Sequence, residues 1–291
     1  MSNASNTKKS KKRTVPYIFD SKGTDKKIVA LTAYDFTIAS LLDATEEVDI
    51  ILVGDSAASL FQGAPNTLPV TLDEMVYHCR CVAKGVENAL VVGDMPFLSY
   101  QISPEQAIQS AGRMIKEGGA QAIKLEGGKA MHETISRLVA LDIPVIGHVG
   151  LTPQSYHRMG GHKIQGKKRG SRAHRSAQDV LENALAVEDA GAFAMVVEGV
   201  PSELAERITK SVSIPTIGIG AGVDCDGQIL VTHDLIGLQP DFQPRFVKRY
   251  RELGLEIQSA VKEFVSDVQE SKFPSGEHTV SERPKVHLAK K

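Results

Sequence analysis

Eight short apolar runs, each separated from the next by a longer stretch, constrain this chain more than any other feature of its sequence. The runs are Ile28–Thr32, Ile50–Val53, Leu90–Val92, Ala122–Leu125, Pro144–Gly147, Ala194–Val197, Thr216–Ile219 and Gln228–Val231. They are rich in Val, Ile and Leu and lack polar alternation, which is how strands buried on both faces read. Between them, Phe36–Ala44, Leu72–Lys84, Pro104–Glu117, Ala130–Ala140, Ala177–Ala190 and Ser202–Ser211 carry a helical period. Ser103-Pro104 supplies a cap and a first-turn proline for one of these helices. Eight strands alternating with helices predict an α/β fold, a closed parallel (β/α)8 TIM barrel. The alternative, an open doubly wound sheet, calls for Gly-x-Gly-x-x-Gly after its first strand, whereas the glycine-rich Gly218–Gly222 follows the seventh run.

The 291 residues, 42% hydrophobic and 24% charged, suffice for one such barrel. The expected domain spans 15–270, between a disordered basic arm (1–14) and a C-terminal tail (271–291), with helical period over Arg245–Gln269. The net charge of −1 conceals a division, because ten of the 34 basic residues but only two of the 35 acidic ones lie in those tails, leaving the body at −9. So acidic a body repels phosphates, and no nucleic acid is expected as a partner. No run approaches the ~20 apolar residues of a membrane helix. Cys79, Cys81 and Cys225 are too few and too scattered for a disulfide framework or a zinc site. The N-terminal stretch has no apolar core for export, so a reducing cytoplasm is the expected compartment.

The residues that end the strands carry the chemistry. The runs lead into Asp55, Asp94, Glu126, His148 and Glu198, and Lys124 lies two residues before Glu126, on the same side of its strand. In a parallel barrel these positions share one rim, where the active sites of this architecture lie. Carboxylates crowded there repel one another unless a cation is present. Oxygen ligands from Asp55 and Asp94 suit a hard ion, Mg²⁺ above all, able to bind a 2-oxo acid and acidify the carbon beside its keto group. Lys124 and His148 would hold the acid, and either Glu126 or Glu198 would supply the base. His78, His132, His162, His174 and His233 lack carboxylates at ligand spacing and are expected to fill ordinary surface or core roles.

Seven segments in order make a resemblance to a known family: Thr32–Asp35, Val53–Ser56, Val92–Pro96, Ile123–Gly128, Gly147–Gln154, Gly218–Gly222 and Asp226–Val231. The chain resembles ketopantoate hydroxymethyltransferases over about residues 15–280. The resemblance implies a barrel of the phosphoenolpyruvate/pyruvate-domain type, assembled as a homodecamer, working in pantothenate biosynthesis. It implies transfer of a one-carbon unit from 5,10-methylenetetrahydrofolate to 3-methyl-2-oxobutanoate, giving 2-dehydropantoate and tetrahydrofolate. Residue by residue, it implies Asp55, Asp94 and Glu126 around the Mg²⁺ (Glu126 through a water). It implies Asp55, Ser56, Asp94, Lys124 and His148 as the substrate-binding set, and Glu198 as the general base. The basic loop Lys167–Arg175 departs from the family pattern and is either an attractor for the polyglutamate tail of folate or a solvated or interface loop. Gly218–Gly222 is either a backbone wall for the pterin or a plain tight turn. Two other functions compete. A Mg²⁺-dependent 2-oxo acid lyase or mutase would need a cysteine-bearing loop, and no cysteine follows the fifth run; a non-catalytic binding protein would have lost one of the carboxylates.

Overall fold

The strands close on themselves. In the computed structural model, which describes residues 12–167 and 175–280, eight parallel strands pair in sequence order and the eighth pairs with the first. They are β1 (Ile28–Thr32), β2 (Ile50–Val53), β3 (Leu90–Asp94), β4 (Ala122–Glu126), β5 (Val145–Gly150), β6 (Ala194–Glu198), β7 (Thr216–Ile219) and β8 (Gly227–Leu230). The expected barrel is therefore the observed one. Helices Phe36–Asp43, Leu72–Ala83, Pro104–Lys116, His132–Val139, Ala177–Asp189 and Ser202–Ser211 follow the expected segments to within two residues. The cap at Ser103 forms, its side chain accepting from Gln106 N.

The side-chain period of two splits each strand between two cores. Ile50, Leu52, Leu90, Val92, Ala122, Ile146, Ala194 and Val196 fall in one cluster, the barrel interior. Ile51, Val53, Val91, Ile123, Leu125, Met195 and Val197 fall in the other, packed against Met75, Cys79, Met114, Leu138 and Val187 of the surrounding helices. On β1 through β6 these interior positions are even-numbered (on β7 and β8 they are odd, Ile217 and Ile229), and continuing the even parity past the apolar stretch of β3 to β6 reaches Asp94, Lys124, Glu126, His148 and Glu198. These residues, expected to end the strands, lie within the ladder: Asp94 pairs with Lys124, Glu126 with His148, and Gly150 with Glu198.

Three features depart from expectation. The arm expected to be disordered over 1–14 is described from Lys12 on, and Arg13 is buried against Asp49 at 3.2 Å while donating to Glu46 O at 2.7 Å. It leads into a short helix, Val15–Phe19, whose fully buried Ile18 joins the barrel-interior cluster. Between Asp55 and Thr71 a helix, Ala57–Phe61, forms outside the six segments expected from helical period. Finally, within the span expected as one domain over 15–270, the described residues form two compact units, one up to Thr232 and one from His233 on. All eight strands belong to the first unit. In the second, the Arg249 guanidinium donates to the carbonyls of Gln239, Pro240 and Phe242, so the helix starts at Leu253 and not near Arg245.

Candidate active site

Parity and register gather the charged strand ends. Asp55, Ser56, Asp94, Lys124, Glu126 and His148 line a cavity of about 90 Å³ closed from below by Leu52, Val196 and Ile229. Against the roughly 30 Å³ that a water takes in the liquid, that is the scale of a small organic acid and less than a pterin needs. Lys124 Nζ lies 2.8 Å from Asp94 Oδ1 and hydrogen-bonds His148 Nδ1 at 3.2 Å. His148 Nε2 stands 3.1 Å from Glu198 Oε2 without making a hydrogen bond, and its Nδ1 is 3.7 Å from Glu126 Oε1. Asp55 N donates to Asp94 Oδ2 at 3.1 Å, and the Ser56 hydroxyl pairs with that of buried Tyr34 at 2.7 Å. Every residue expected at the site is thus brought to one end of the barrel interior.

The charges there are strained by burial. Burial pushes Asp94 up to about 7 against the pull of Lys124, and Asp55 adds to the rise. Burial likewise pushes Glu198 up to about 7, although Lys124 and His162 draw it down. Glu126 is driven well above the usual carboxylate range by burial and by Asp55. Burial works against the Lys124 ammonium too, but Asp94, Glu126 and Asp55 outweigh it and hold the amine protonated. Burial and neighbouring Lys124 drive His148 well below its ordinary value, so its ring is neutral. With Lys124 donating to Nδ1, the ring proton belongs on Nε2, the nitrogen that faces Glu198.

Glu126 Oε1 is buried with no hydrogen-bond partner, and Asp94 Oδ1 is held by the Lys124 ammonium alone, at 2.8 Å. Hard oxygens so placed beside a third carboxylate, Asp55, are the donor set that a divalent cation such as Mg²⁺ takes, with water and substrate completing its shell. Among the described residues, however, no three His, Cys, Asp or Glu side chains stand together as a ready metal cage, so the trio Asp55, Asp94 and Glu126 is not preassembled as a closed site.

Residues that the sequence reading passed over also meet here. Gln154 donates through Nε2 to Asp55 Oδ2 at 3.0 Å and through its backbone N to Glu126 Oε2 at 3.0 Å, and Tyr100 OH donates to its Oε1 at 2.7 Å. An uncharged amide within a loop carries no chemical signal in a sequence; only the position of Gln154, four residues past β5, could have pointed to it. His162, expected to play an ordinary role, is close enough to Glu198 to act on its charge. Of the basic loop, residues 168–174 lie outside the described residues. Arg175 donates to Gly150 O and Thr152 Oγ1, at 2.9 and 3.3 Å. Ile219 borders the cavity, and positive φ at Gly220 (+56°) and Gly222 (+87°) gives the glycine-rich segment its turn.

The sequence profile described as ketopantoate hydroxymethyltransferase matches residues 12–276. The chain belongs to this family. It is 53% identical to a 3-methyl-2-oxobutanoate hydroxymethyltransferase of Syntrophotalea carbinolica, over 93% of this chain and 99% of that one. A protein of the same name from Clostridioides difficile is 47% identical over 93% of this chain and 96% of its own length. Among solved structures, a phosphonopyruvate hydrolase superposes with a TM-score of 0.60 at 12% identity, covering 93% of this chain and 92% of that one. A 2,3-dimethylmalate lyase described as a PEP mutase/isocitrate lyase superfamily member superposes at 0.58 and 14% identity, covering 92% and 89%. At such identities these two share the barrel fold with the ketopantoate hydroxymethyltransferase family, and the fold alone. None of Cys79, Cys81 and Cys225 lines the cavity, so the cysteine that the lyase reading called for is not there.

Proposed function

We propose that this chain transfers a hydroxymethyl group from 5,10-methylenetetrahydrofolate to 3-methyl-2-oxobutanoate, yielding 2-dehydropantoate and tetrahydrofolate. Overall, C3 of the oxo acid loses a proton and gains CH₂OH, whose carbon comes from the folate and whose oxygen comes from water. The observation that carries this reading at the site is Glu198, a carboxyl that burial pushes up to about 7 and that stands 3.1 Å from His148, part of the wall of a cavity on the scale of the oxo acid. A base poised near neutrality combines the ionised form with enough basicity to remove a carbon-bound proton.

Glu198 Oε2 takes the C3 proton, and the neutral His148 beside it keeps an N–H facing that carboxylate. Lys124 Nζ, held protonated by Asp94, meets the substrate's carboxylate or keto oxygen, and the Ser56 hydroxyl adds a second donor. Asp55 and Asp94, with Glu126 through water, would hold Mg²⁺, which when bound polarises the keto oxygen and acidifies C3. The cavity's small volume supports binding of the folate outside it, at the mouth. Exposed Ile257 (53%), Val261 (56%) and Phe264 (54%) on helix Leu253–Gln269 support assembly into a homo-oligomer, for which we propose the family's decamer in the cytoplasm.

The test is incubation of the purified chain with both substrates and Mg²⁺. We expect 2-dehydropantoate to accumulate and its formation to stop on addition of a chelator. Turnover of the oxo acid without folate, by carbon–carbon cleavage, would replace this reading with the lyase one.

A further inference from the structure

Gln154 hydrogen-bonds two carboxylates of the acidic cluster, although it carries no charge. β5 ends at Gly150, whose φ of +93° and whose missing Cβ, which would stand 2.3 Å from Glu198 O, let the chain turn across the barrel mouth. Leu151 N then donates to Glu198 O at 2.8 Å, and a single turn of 3-10 helix, Pro153–Ser155, brings Gln154 beside the cavity, 7% exposed. Its neighbours decide the orientation of its amide. Asp55 Oδ2 and Met95 O, at 3.0 and 2.9 Å, accept only, so the end facing them is the NH₂. Its Oε1 receives Tyr100 OH at 2.7 Å and Gln101 Nε2 at 3.0 Å. Every donor and acceptor of this side chain is used, and the backbone N–H adds the bond to Glu126 Oε2.

One residue therefore ties one oxygen of each of two carboxylates on separate strands to the scaffold. Glu126 is left with Oε1 buried and without a hydrogen-bond partner. We propose that Gln154 is a positioning residue that clamps Asp55 and Glu126, through its amide and its backbone N–H, so that their remaining oxygens are presented to a divalent cation and a 2-oxo acid. The inference deepens the proposed function and rests on it. Tyr100, whose hydroxyl stays protonated because burial and Glu126 raise its pKa, acts behind Gln154 by fixing the amide. Outer groups that orient metal-binding carboxylates commonly set affinity by 10- to 100-fold, because they remove the freedom those ligands would otherwise lose on binding.

The test reads binding of Mn²⁺, a paramagnetic substitute for Mg²⁺, by electron paramagnetic resonance in the absence of substrate. We expect Gln154→Met, which keeps the volume and removes the amide, to weaken Mn²⁺ about 10- to 100-fold and to lower kcat more than it raises KM for the oxo acid. Tyr100→Phe should shift both in the same direction by less. In an Asp55→Asn background, Gln154→Met should weaken Mn²⁺ far less than it does alone, because much of the interaction it disrupts is already gone. A folded Gln154→Met protein with Mn²⁺ affinity within twofold of wild type overturns the clamp. Should that variant fail to fold, Tyr100→Phe decides in its place: unchanged affinity overturns the clamp and weakened affinity supports it. Wild-type protein that binds no Mn²⁺ overturns the proposed function and the clamp with it, whereas a competent wild type beside an unchanged variant overturns the clamp alone.

Discussion

The two ends of the barrel interior both bury charge, and they treat it differently. At the floor, Asp49 is 1% exposed and accepts Arg13 Nε and Tyr17 OH at 3.2 Å on one oxygen and Val29 N at 3.0 Å on the other. Nearby Asp43 accepts the backbone N–H groups of Glu87, Asn88 and Ala89. At the mouth, Asp94 and Glu126 are buried almost as deeply, yet Glu126 keeps an oxygen without a hydrogen bond and one oxygen of Asp94 is held by Lys124 alone. Burial without compensation raises a carboxyl's pKa and leaves it ready to exchange its partner for a proton, a cation or a substrate. A buried carboxylate with all its bonds made is scaffold; one short of bonds is a place where chemistry is meant to happen.

Substitutions at the two ends test that contrast. The largest effect is expected from Asp94→Asn, which should abolish Mg²⁺-dependent exchange of the C3 proton of 3-methyl-2-oxobutanoate for deuterium, followed by NMR without folate. Full exchange in that variant would remove Asp94 from the metal set and blur the difference between mouth and floor. Next comes Glu198→Gln, expected to cut kcat about 10²- to 10⁴-fold while KM for the oxo acid moves little, as loss of a base acting in the transition state requires. A defect in KM alone would reassign Glu198 to substrate holding.

At the floor the same kind of change should act on stability and spare chemistry. Asp49→Asn leaves Arg13 buried beside a neutral partner and should lower the unfolding free energy by about 3–5 kcal/mol, read by urea denaturation, with kcat per folded molecule unchanged. A fall in kcat would show that the two ends are coupled. The mildest probe is pH. Glu198 works as a base only when ionised, and its pKa is raised to about 7, so kcat/KM should fall about tenfold per unit as the pH drops below 7 and level off above it. In Glu198→Gln the residual rate should lose Glu198's tenfold-per-unit fall and keep only what Asp94, also raised to about 7, contributes.

Much of this mouth was legible from residue types alone. Asp94, Glu126, His148 and Glu198 stand where apolar strands turn polar, and the period of two sends them inward with the residues before them. Gln154 and Tyr100 were not legible, because an amide and a phenol signal chemistry only through what they touch. Tyr100 lies 54 positions from Gln154 along the chain, and neither residue type is diagnostic by itself. Arg13 was misread for the same reason: a base in a basic arm looks solvated until Asp49, 36 residues later, is folded against it.

By itself, the sequence determined the barrel, its strand order and the residue types at its mouth, because hydrophobic period and chain order are local properties that a parallel sheet cannot override. Tertiary structure alone decided which carboxylate oxygens are satisfied, which nitrogen of His148 faces Glu198 and how far burial moves each proton. Those quantities depend on distances between strands and on water excluded from between them, and neither is written along the chain.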